Sequence, residues 1–252
     1  MATGLVVLLF TACGLPTIPF LAAPQNPRNS GANEETRRLL FDHNQNNDVD
    51  DFRGYELYYK LYEVSATAAL QADENFISTT PVEPGPSRLQ QRGFVRAAVV
   101  TVRDASNDPP TVSGTTGDDQ PPTVPTDPTG ALITYTIDLS QRPADGTSID
   151  NADVIVAWTE SGGRAIGIRR RSAQSATTPD FRDSFDSFWN AASYDSDDYD
   201  VQQMGLEDLV DSGPVDRLVT IWYALSYGID GTSFSGYYSE PLRLDQAVIV
   251  TE

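Results

Sequence analysis

The amino-acid sequence predicts a mainly β protein whose strands are mostly antiparallel, with one or two short helices. In residues 52–62 the side chains alternate at the strand period of two. One face carries Tyr55, Leu57, Tyr59 and Leu61, and the other carries Glu56, Tyr58, Lys60 and Tyr62. Residues 153–171 have the pattern of a hairpin, with two apolar arms around Ser161-Gly162-Gly163. A hydrophobic content of 39% is ordinary for a globular chain, so we expect a packed core.

Shorter apolar runs predict further strands along the chain. Residues 36–42 are β-like and precede a turn-prone stretch. The other strand candidates are residues 94–102, 131–139, 217–227 and 237–250, of which the last two are joined by a Gly-rich turn.

Helix signals are fewer, and one long segment has no regular pattern. Residues 66–73 are rich in alanine and predict a helical turn. Four aromatic residues after Pro179 recur at helical spacing and predict a short amphipathic helix: Phe181, Phe185, Phe188 and Trp189. Residues 104–130 contain six prolines without apolar periodicity, so we expect a disordered loop between two strands.

Cys13 is the only cysteine of the 252 residues, and it follows the apolar run 5–10 closely. That run is too short to span a bilayer, which takes about 20 residues, but it fits the core of a secretory signal. The junction Phe10-Thr11-Ala12-Cys13 resembles a bacterial lipoprotein signal, which implies that Cys13 carries the lipid and becomes the first mature residue. A single cysteine in an exported chain cannot form an internal disulfide, and lipidation accounts for it.

Two alternatives to a lipidated Cys13 stay open on the sequence. One is a signal cut after Ala23, which we disfavour because Pro24 would follow the cut, and because Pro16 and Pro19 interrupt the apolar helix. The other is a free cysteine in a frayed terminus. Residues 1–4 also lack the basic residues that usually open such a signal.

These observations divide the chain into three parts. We expect a signal peptide at 1–12, an extended tether at 13–34, and a single domain at 35–252 that contains the 104–130 loop. The expected location is the bacterial cell envelope, at the outer membrane or cell surface rather than the inner membrane.

The formal net charge of −19 limits the partners. Phosphate backbones attract cationic proteins, so we expect no nucleic-acid partner. Anionic headgroups also repel this surface, and the predicted membrane link is therefore the covalent lipid.

Two parts of the sequence resemble a fibronectin type III domain. Residues 52–60, with Gly54-Tyr55-Glu56, are similar to the third strand of that family. Residues 222–228 and the segment Tyr238-Ser239-Glu240-Pro241-Leu242 are similar to its last two strands. The resemblance implies an antiparallel β-sandwich, here with a long insertion, because more than 150 residues separate the two parts.

The layout also resembles surface lipoproteins of spirochaetes. Cys13-Gly14-Leu15, the proline-containing segment after it and the strand at 54–60 carry this likeness. It implies an envelope location, and it brings no activity with it.

Residues with catalytic chemistry are scarce in this sequence. The only histidine, His43, adjoins a polar turn, and we expect it to be solvated rather than catalytic. The supply of Cys and His is too small for a typical zinc site, and we predict no catalytic residues.

Calcium is the one cofactor that the sequence suggests. Two acidic clusters provide the hard oxygen ligands that this cation prefers. They contain Asp48, Asp50 and Asp51, beside Asn46, and Asp195, Asp197 and Asp198, beside Asp200. Neither cluster has EF-hand spacing, and we favour solvated acidic loops.

The function predicted from these features is non-enzymatic: a binding or structural role toward an envelope or extracellular protein or a glycan. The candidate binding face consists of Tyr58, Tyr62, Tyr237 and Tyr238. The alternative is a carbohydrate-active hydrolase with a pair of carboxylates facing one cleft.

Overall fold

The structure is a computed structural model in which twelve parts of the chain are described. They are residues 21–29, 38–47, 51–79, 84–101, 134–138, 154–158, 164–168, 194–212, 218–231, 233, 235–244 and 248–249. The predicted signal peptide, Cys13, Asp48 and Asp50 lie outside these residues. So do the predicted 104–130 loop and the predicted helix of residues 181–189.

The described chain is mainly sheet with few helices, as predicted. The strands are β1 (Gln25–Asn29), β2 (Arg38–Asp42), β3 (Phe52–Glu63), β4 (Val95–Thr101), β5 (Thr134–Asp138), β6 (Val154–Trp158), β7 (Arg164–Ile168), β8 (Leu218–Ile229), β9 (Gly236–Tyr238), β10 (Leu242–Arg243) and β11 (Val248–Ile249). The α-helices are α1 (Thr67–Thr79), α2 (Ser87–Gln91), α3 (Tyr199–Met204) and α4 (Glu207–Asp211), and a 3₁₀ turn spans Gln45–Asn47.

The strands form two sheets. The first sheet has the order β1-β2-β5-β7-β6, and the second has the order β10-β8-β3-β4, with β9 and β11 also paired to β8. The pairings are antiparallel apart from β5 with β7, which is parallel. The predicted hairpin is confirmed, because Val154 lies opposite Ile168 and Trp158 lies opposite Arg164.

Aromatic rings connect the two sheets. Phe41 of β2 and Tyr135 of β5 each lie 5.0 Å from the ring of Tyr55 in β3. Farther along β3, Tyr59 stacks on Trp222 of β8 at 5.2 Å. The alternation in β3 therefore puts its predicted apolar face into a core that both sheets share.

The opposite face of β3 is covered as well. The alanine-rich segment predicted as a helical turn is a helix of 13 residues, α1. Ile77 of α1 and Leu89 of α2 pack with Tyr58, Tyr62 and other residues in a second core cluster. Tyr58 and Tyr62 are 1% and 4% exposed, so they do not form the exposed binding face that the sequence predicted.

The predicted tether is partly a strand. Residues 25–29 form β1, the edge strand of the first sheet, and pair with β2. Pro27 has no backbone N–H to donate to a neighbouring strand, and an edge strand tolerates this because one of its sides has no partner strand. Among the described residues, no helix is long and apolar enough to cross a bilayer.

Candidate binding cleft

Helix α1 is fixed against β3 by one polar cluster. The ammonium group of Lys60, the only lysine of the chain, donates to the Asp73 carboxylate at 2.7 Å and to the Arg92 carbonyl at 2.6 Å. The Tyr62 hydroxyl donates to the same Asp73 oxygen at 2.9 Å. Burial, followed by the hydrogen bond to Asp73, raises the pKa of Tyr62. These contacts join the helix to the sheet and set one wall of a cleft.

That cleft lies between α1 and the segment from Ser239 to Arg243, and its volume is about 710 Å³. Two arginines and two glutamates line it, together with amide and hydroxyl side chains of α1. We call it the α1 cleft. Its size falls within the range of small-molecule sites, roughly 300–1,000 Å³.

Arg88 is the most buried charged residue of the α1 cleft. Its side chain is 4% exposed, and its guanidinium donates to the carbonyl of Ile77 at 2.7 Å. The same guanidinium forms an ion pair with Glu240, whose side chain is 55% exposed. A buried cation is thus balanced by a carboxylate that remains largely in solvent.

The backbone beside Glu240 is held firmly. The amide of Ser239 donates to the Ser226 carbonyl, and the Ser226 amide donates to the Ser239 hydroxyl, each at 2.9 Å. The Ser239 hydroxyl in turn donates to the Glu240 carbonyl at 2.9 Å. These bonds fix where the Glu240 side chain leaves the backbone, while its carboxylate extends into the cleft.

A second ion pair lies at the other side of the cleft. Arg243 contacts the Glu74 carboxylate at 2.6 Å, and both side chains are partly exposed. Between the two pairs, the phenol of Tyr223 lines the cleft, and burial raises the pKa of Tyr223 to about 12. The phenol is therefore neutral at physiological pH.

A smaller cleft of about 440 Å³ lies beside the N-terminal end of β4. Tyr58, which lines it, donates its hydroxyl to the Glu56 carboxylate at 2.7 Å. Arg96 contacts the other oxygen of Glu56 at 3.1 Å. Burial, reinforced by the charge of Glu56, raises the pKa of Tyr58. Because Glu56 is 3% exposed and doubly engaged, this group stabilises the fold.

The other two predicted tyrosines are half-buried. The Tyr238 ring lies 6.5 Å from the ring of Tyr227, and a Cβ added at Gly85 would lie 3.4 Å from the Tyr238 side chain. Burial raises the pKa of Tyr237 to about 12, and it raises the pKa of Tyr238 as well. The structure does not bring the four predicted tyrosines onto one exposed face.

The described part of the second acidic cluster forms a turn ahead of α3. The amide of Asp195 donates to the Asp198 carboxylate at 2.9 Å, and the amide of Asp197 donates to the Asp195 carboxylate at 3.0 Å. Asp200 is fully buried and accepts the Tyr59 hydroxyl at 2.7 Å. Within the described residues, no three acidic, Cys or His side chains are grouped to hold a metal, and Asp51 joins no such group.

His43 is buried, contrary to the prediction of a solvated side chain. It is 4% exposed, its ring packs edge-on against Phe52 at 5.3 Å, and its Nδ1 hydrogen-bonds with the Tyr55 hydroxyl. The polar turn that suggested solvation folds back over the core instead.

That turn also holds the first described residues of the chain. The amide of Ala22 donates to the Asn47 side chain at 2.7 Å, and the Asn47 amide group donates to the Ala22 carbonyl at 2.8 Å. The Ser226 hydroxyl donates to the same carbonyl at 2.8 Å, and Asn44 donates to the Ala23 carbonyl at 2.9 Å. We call this set of contacts the N-terminal clamp.

Sequence reasoning missed the charged residues of the α1 cleft. Arg88 and Glu240 are 152 positions apart, and no local pattern links them. The segment Ser239-Glu240-Pro241 carried only a resemblance to the last strands of fibronectin type III domains. No family model, curated protein or solved structure matches the chain.

Proposed function

We propose that the protein is an exported lipoprotein of the bacterial cell envelope that is anchored through Cys13 and binds a ligand without chemical turnover. The anchoring part rests on the sequence around Cys13, and the N-terminal clamp supports it by disfavouring the alternative cut. The clamp bears on the two signal-peptide cuts that the sequence leaves open, at Cys13 and after Ala23.

A cut after Ala23 would remove residues that belong to the folded part. Leu21 is 6% exposed and belongs to the core cluster that both sheets share. Loss of Ala22 would remove the backbone amide and the backbone carbonyl to which the fully buried Asn47 side chain is hydrogen-bonded. An unsatisfied buried polar group costs about 1–3 kcal/mol, so this cut is unfavourable. A mature chain that starts at Cys13 keeps every contact of the clamp.

The clamp also bounds the distance between anchor and folded part. Nine peptide steps join Cys13 to Ala22. Since an extended chain spans at most about 3.6 Å for each step, Ala22 lies within about 32 Å of an acylated Cys13. The proposal therefore places the N-terminal clamp within this distance of the membrane surface.

We further propose that the two sheets form a β-sandwich similar to fibronectin type III domains. In sandwiches of the immunoglobulin type, strands A, B and E share one sheet and strands C, F and G share the other. Here β1, β2 and β5 are neighbours in one sheet, and β10, β8 and β3 are neighbours in the other. This agreement in strand order supports the proposal, with α1 and α2 inserted before β4 and the β6–β7 hairpin inserted before β8.

The binding role is proposed for the α1 cleft. The alternative of a carbohydrate-active hydrolase receives support from one observation, the presence of Glu74 and Glu240 in the same cleft. A glycosidase needs one of its two carboxyl groups to hold a proton. Each of these carboxylates is instead engaged in an ion pair with an arginine, Glu240 with Arg88 and Glu74 with Arg243. We therefore favour binding.

Two experiments test the proposed function. Fractionation of the bacterial source should find the protein with membranes, and a Cys13→Ser variant should be released from them. Incubation with a panel of chromogenic glycosides should give no turnover above that of the Glu74→Gln variant. Hydrolysis that is lost in both Glu74→Gln and Glu240→Gln would assign the protein to the hydrolases instead.

A further inference from the structure

We propose that the α1 cleft binds a carboxylate-bearing saccharide, and that the ligand carboxylate takes the place of Glu240 on Arg88. The inference rests on the proposed binding role and gives it a ligand class. It follows from the difference in burial between the two members of one ion pair.

Arg88 provides a fixed and desolvated cation. Its side chain is 4% exposed, and the Ile77 carbonyl holds one of its amino groups at 2.7 Å. The donor that Arg88 directs at Glu240 is therefore held in a defined direction, and a guanidinium suits planar recognition of a carboxylate. Its position is therefore set before any ligand arrives.

Glu240 is the replaceable member of the pair. More than half of its side chain is in solvent, and its backbone is held by the hydrogen bonds of Ser239 with Ser226. Rotation of the Glu240 side chain would carry its carboxylate into water without moving the strand. A ligand carboxylate that arrives at Arg88 would keep the buried cation neutralised, so the exchange leaves no buried charge unpaired.

The rest of the cleft favours a polyhydroxy ligand over an apolar one. Asn75, Ser78 and Thr79 line the wall formed by α1, and they offer one amide and two hydroxyl groups. Ser78 and Thr79 donate their hydroxyl hydrogens to carbonyls within the helix, at 2.8 Å and 2.5 Å, so their oxygens remain able to accept. Tyr223, which is 4% exposed, contributes its phenol to the lining of the cleft but no open aromatic face.

The chain's negative charge does not prevent this binding. At physiological salt, charges separated by more than about 8 Å are largely screened, so the net charge of the whole chain acts only weakly on a ligand in the cleft, whose own lining carries two arginines and two glutamates. The affinity should nevertheless fall in salt above that level, because the contact with Arg88 is between charges.

The experiment titrates the full-length chain with D-glucuronate and with D-glucose, followed by amide chemical shifts. The chain carries Cys13→Ser, so that the result does not depend on lipid attachment. D-glucuronate should bind more tightly than D-glucose and should shift the amides around Arg88 and Glu240. In Glu240→Gln, D-glucuronate should bind roughly two- to fivefold more tightly, because a partly exposed competing ion pair is removed.

Glu63→Gln is the matched control, since it removes one negative charge at the end of β3, away from the cleft, and should leave the affinity unchanged. Equal binding of the two sugars, or an equal gain in Glu240→Gln and Glu63→Gln, would overturn the proposal. Tighter binding of the peptide acetyl-Gly-Gly-Ala than of D-glucuronate would also overturn it and would assign the cleft to peptide carboxylates. None of these results bears on membrane anchoring, so the two proposals fail separately.

Discussion

Asn47 engages both backbone groups of Ala22, the amide at 2.7 Å and the carbonyl at 2.8 Å, although 25 positions separate the two residues. The side-chain amide of Asn47 thus forms the hydrogen bonds that the backbone groups of Ala22 would form with a neighbouring strand in a sheet. Through this contact the segment around Ala22 becomes part of the folded protein.

Replacing Asn47 should therefore destabilise the whole fold. In Asn47→Ala, the backbone groups of Ala22 lose partners in a part-buried site, and we expect the free energy of unfolding to fall by about 3 kcal/mol. Urea unfolding of the Cys13→Ser chain measures this loss. Asn46→Ala is the control, because Asn46 is exposed. The hydrogen bond described for Asn46 is donated by its backbone amide, which the substitution retains. Equal stabilities of the two variants would contradict the role given to the clamp.

Asp42 should make the stability depend on pH in the acid range. Burial opposes its charge, but hydrogen bonds from Arg28, Thr134 and Asn26 hold the pKa of Asp42 below its ordinary value of 3.8. A group whose pKa is lowered by folding stabilises the protein above its unfolded pKa, and this contribution is lost as the pH falls through the folded pKa.

The comparison of the wild type with Asp42→Asn measures this contribution. Near pH 7 the variant should have the smaller free energy of unfolding, and the difference should shrink as the pH falls from about 4 toward 3. Chemical denaturation at several pH values provides the data. A difference that stays constant over this range would show that the charge of Asp42 does not stabilise the fold.

Lys60 and Asp73 should be coupled, because each neutralises the other on the face of β3 that α1 covers. Lys60→Met leaves the Asp73 carboxylate, which is 10% exposed, with only the more distant guanidinium of Arg92 at 3.8 Å, and we expect a loss of about 3 kcal/mol. Adding Asp73→Asn should then cost less than the same change costs in the wild type, since the poorly compensated charge is removed. Double-mutant analysis of urea unfolding tests this, and additive effects would argue against the coupling.

Tyr59 should stabilise α3 from inside the core. Its hydroxyl donates to the fully buried Asp200 at 2.7 Å, and a hydrogen bond to a charged group contributes about 1.5–3 kcal/mol. Tyr59→Phe should lower the free energy of unfolding by that amount. The control is Tyr199→Phe, at a half-buried position of the same helix, for which we expect a change within about 0.5 kcal/mol. A smaller loss in Tyr59→Phe than in the control would contradict the assignment.

The sequence predicted the strands well because their signal is local. The alternation around Tyr55 and Tyr59 is visible within a few residues, and it correctly identifies the face that enters the shared core. It could not reveal that the other face is buried too. That burial depends on α1, whose alanine-rich start predicted only a helical turn, and it is why Tyr58 was expected at the surface.

The burial of two polar residues, His43 and Asp200, was missed for a similar reason. His43 and Asp200 sit in polar stretches, and composition alone predicts that such stretches are solvated. Their burial depends on partners distant in sequence, Tyr59 for Asp200 and, for the turn beside His43, the segment around Ala22. The ion pair of Arg88 with Glu240 is of the same kind, so the α1 cleft had no local signature.

The measurement that tests the account most directly is the intact mass and N-terminal residue of the protein isolated from its own host. The account predicts a mature chain that begins at Cys13 and carries a lipid on its sulfur, with Ala22 retained in the clamp. A mature chain that begins at Pro24, or a Cys13 with a free thiol, would contradict it.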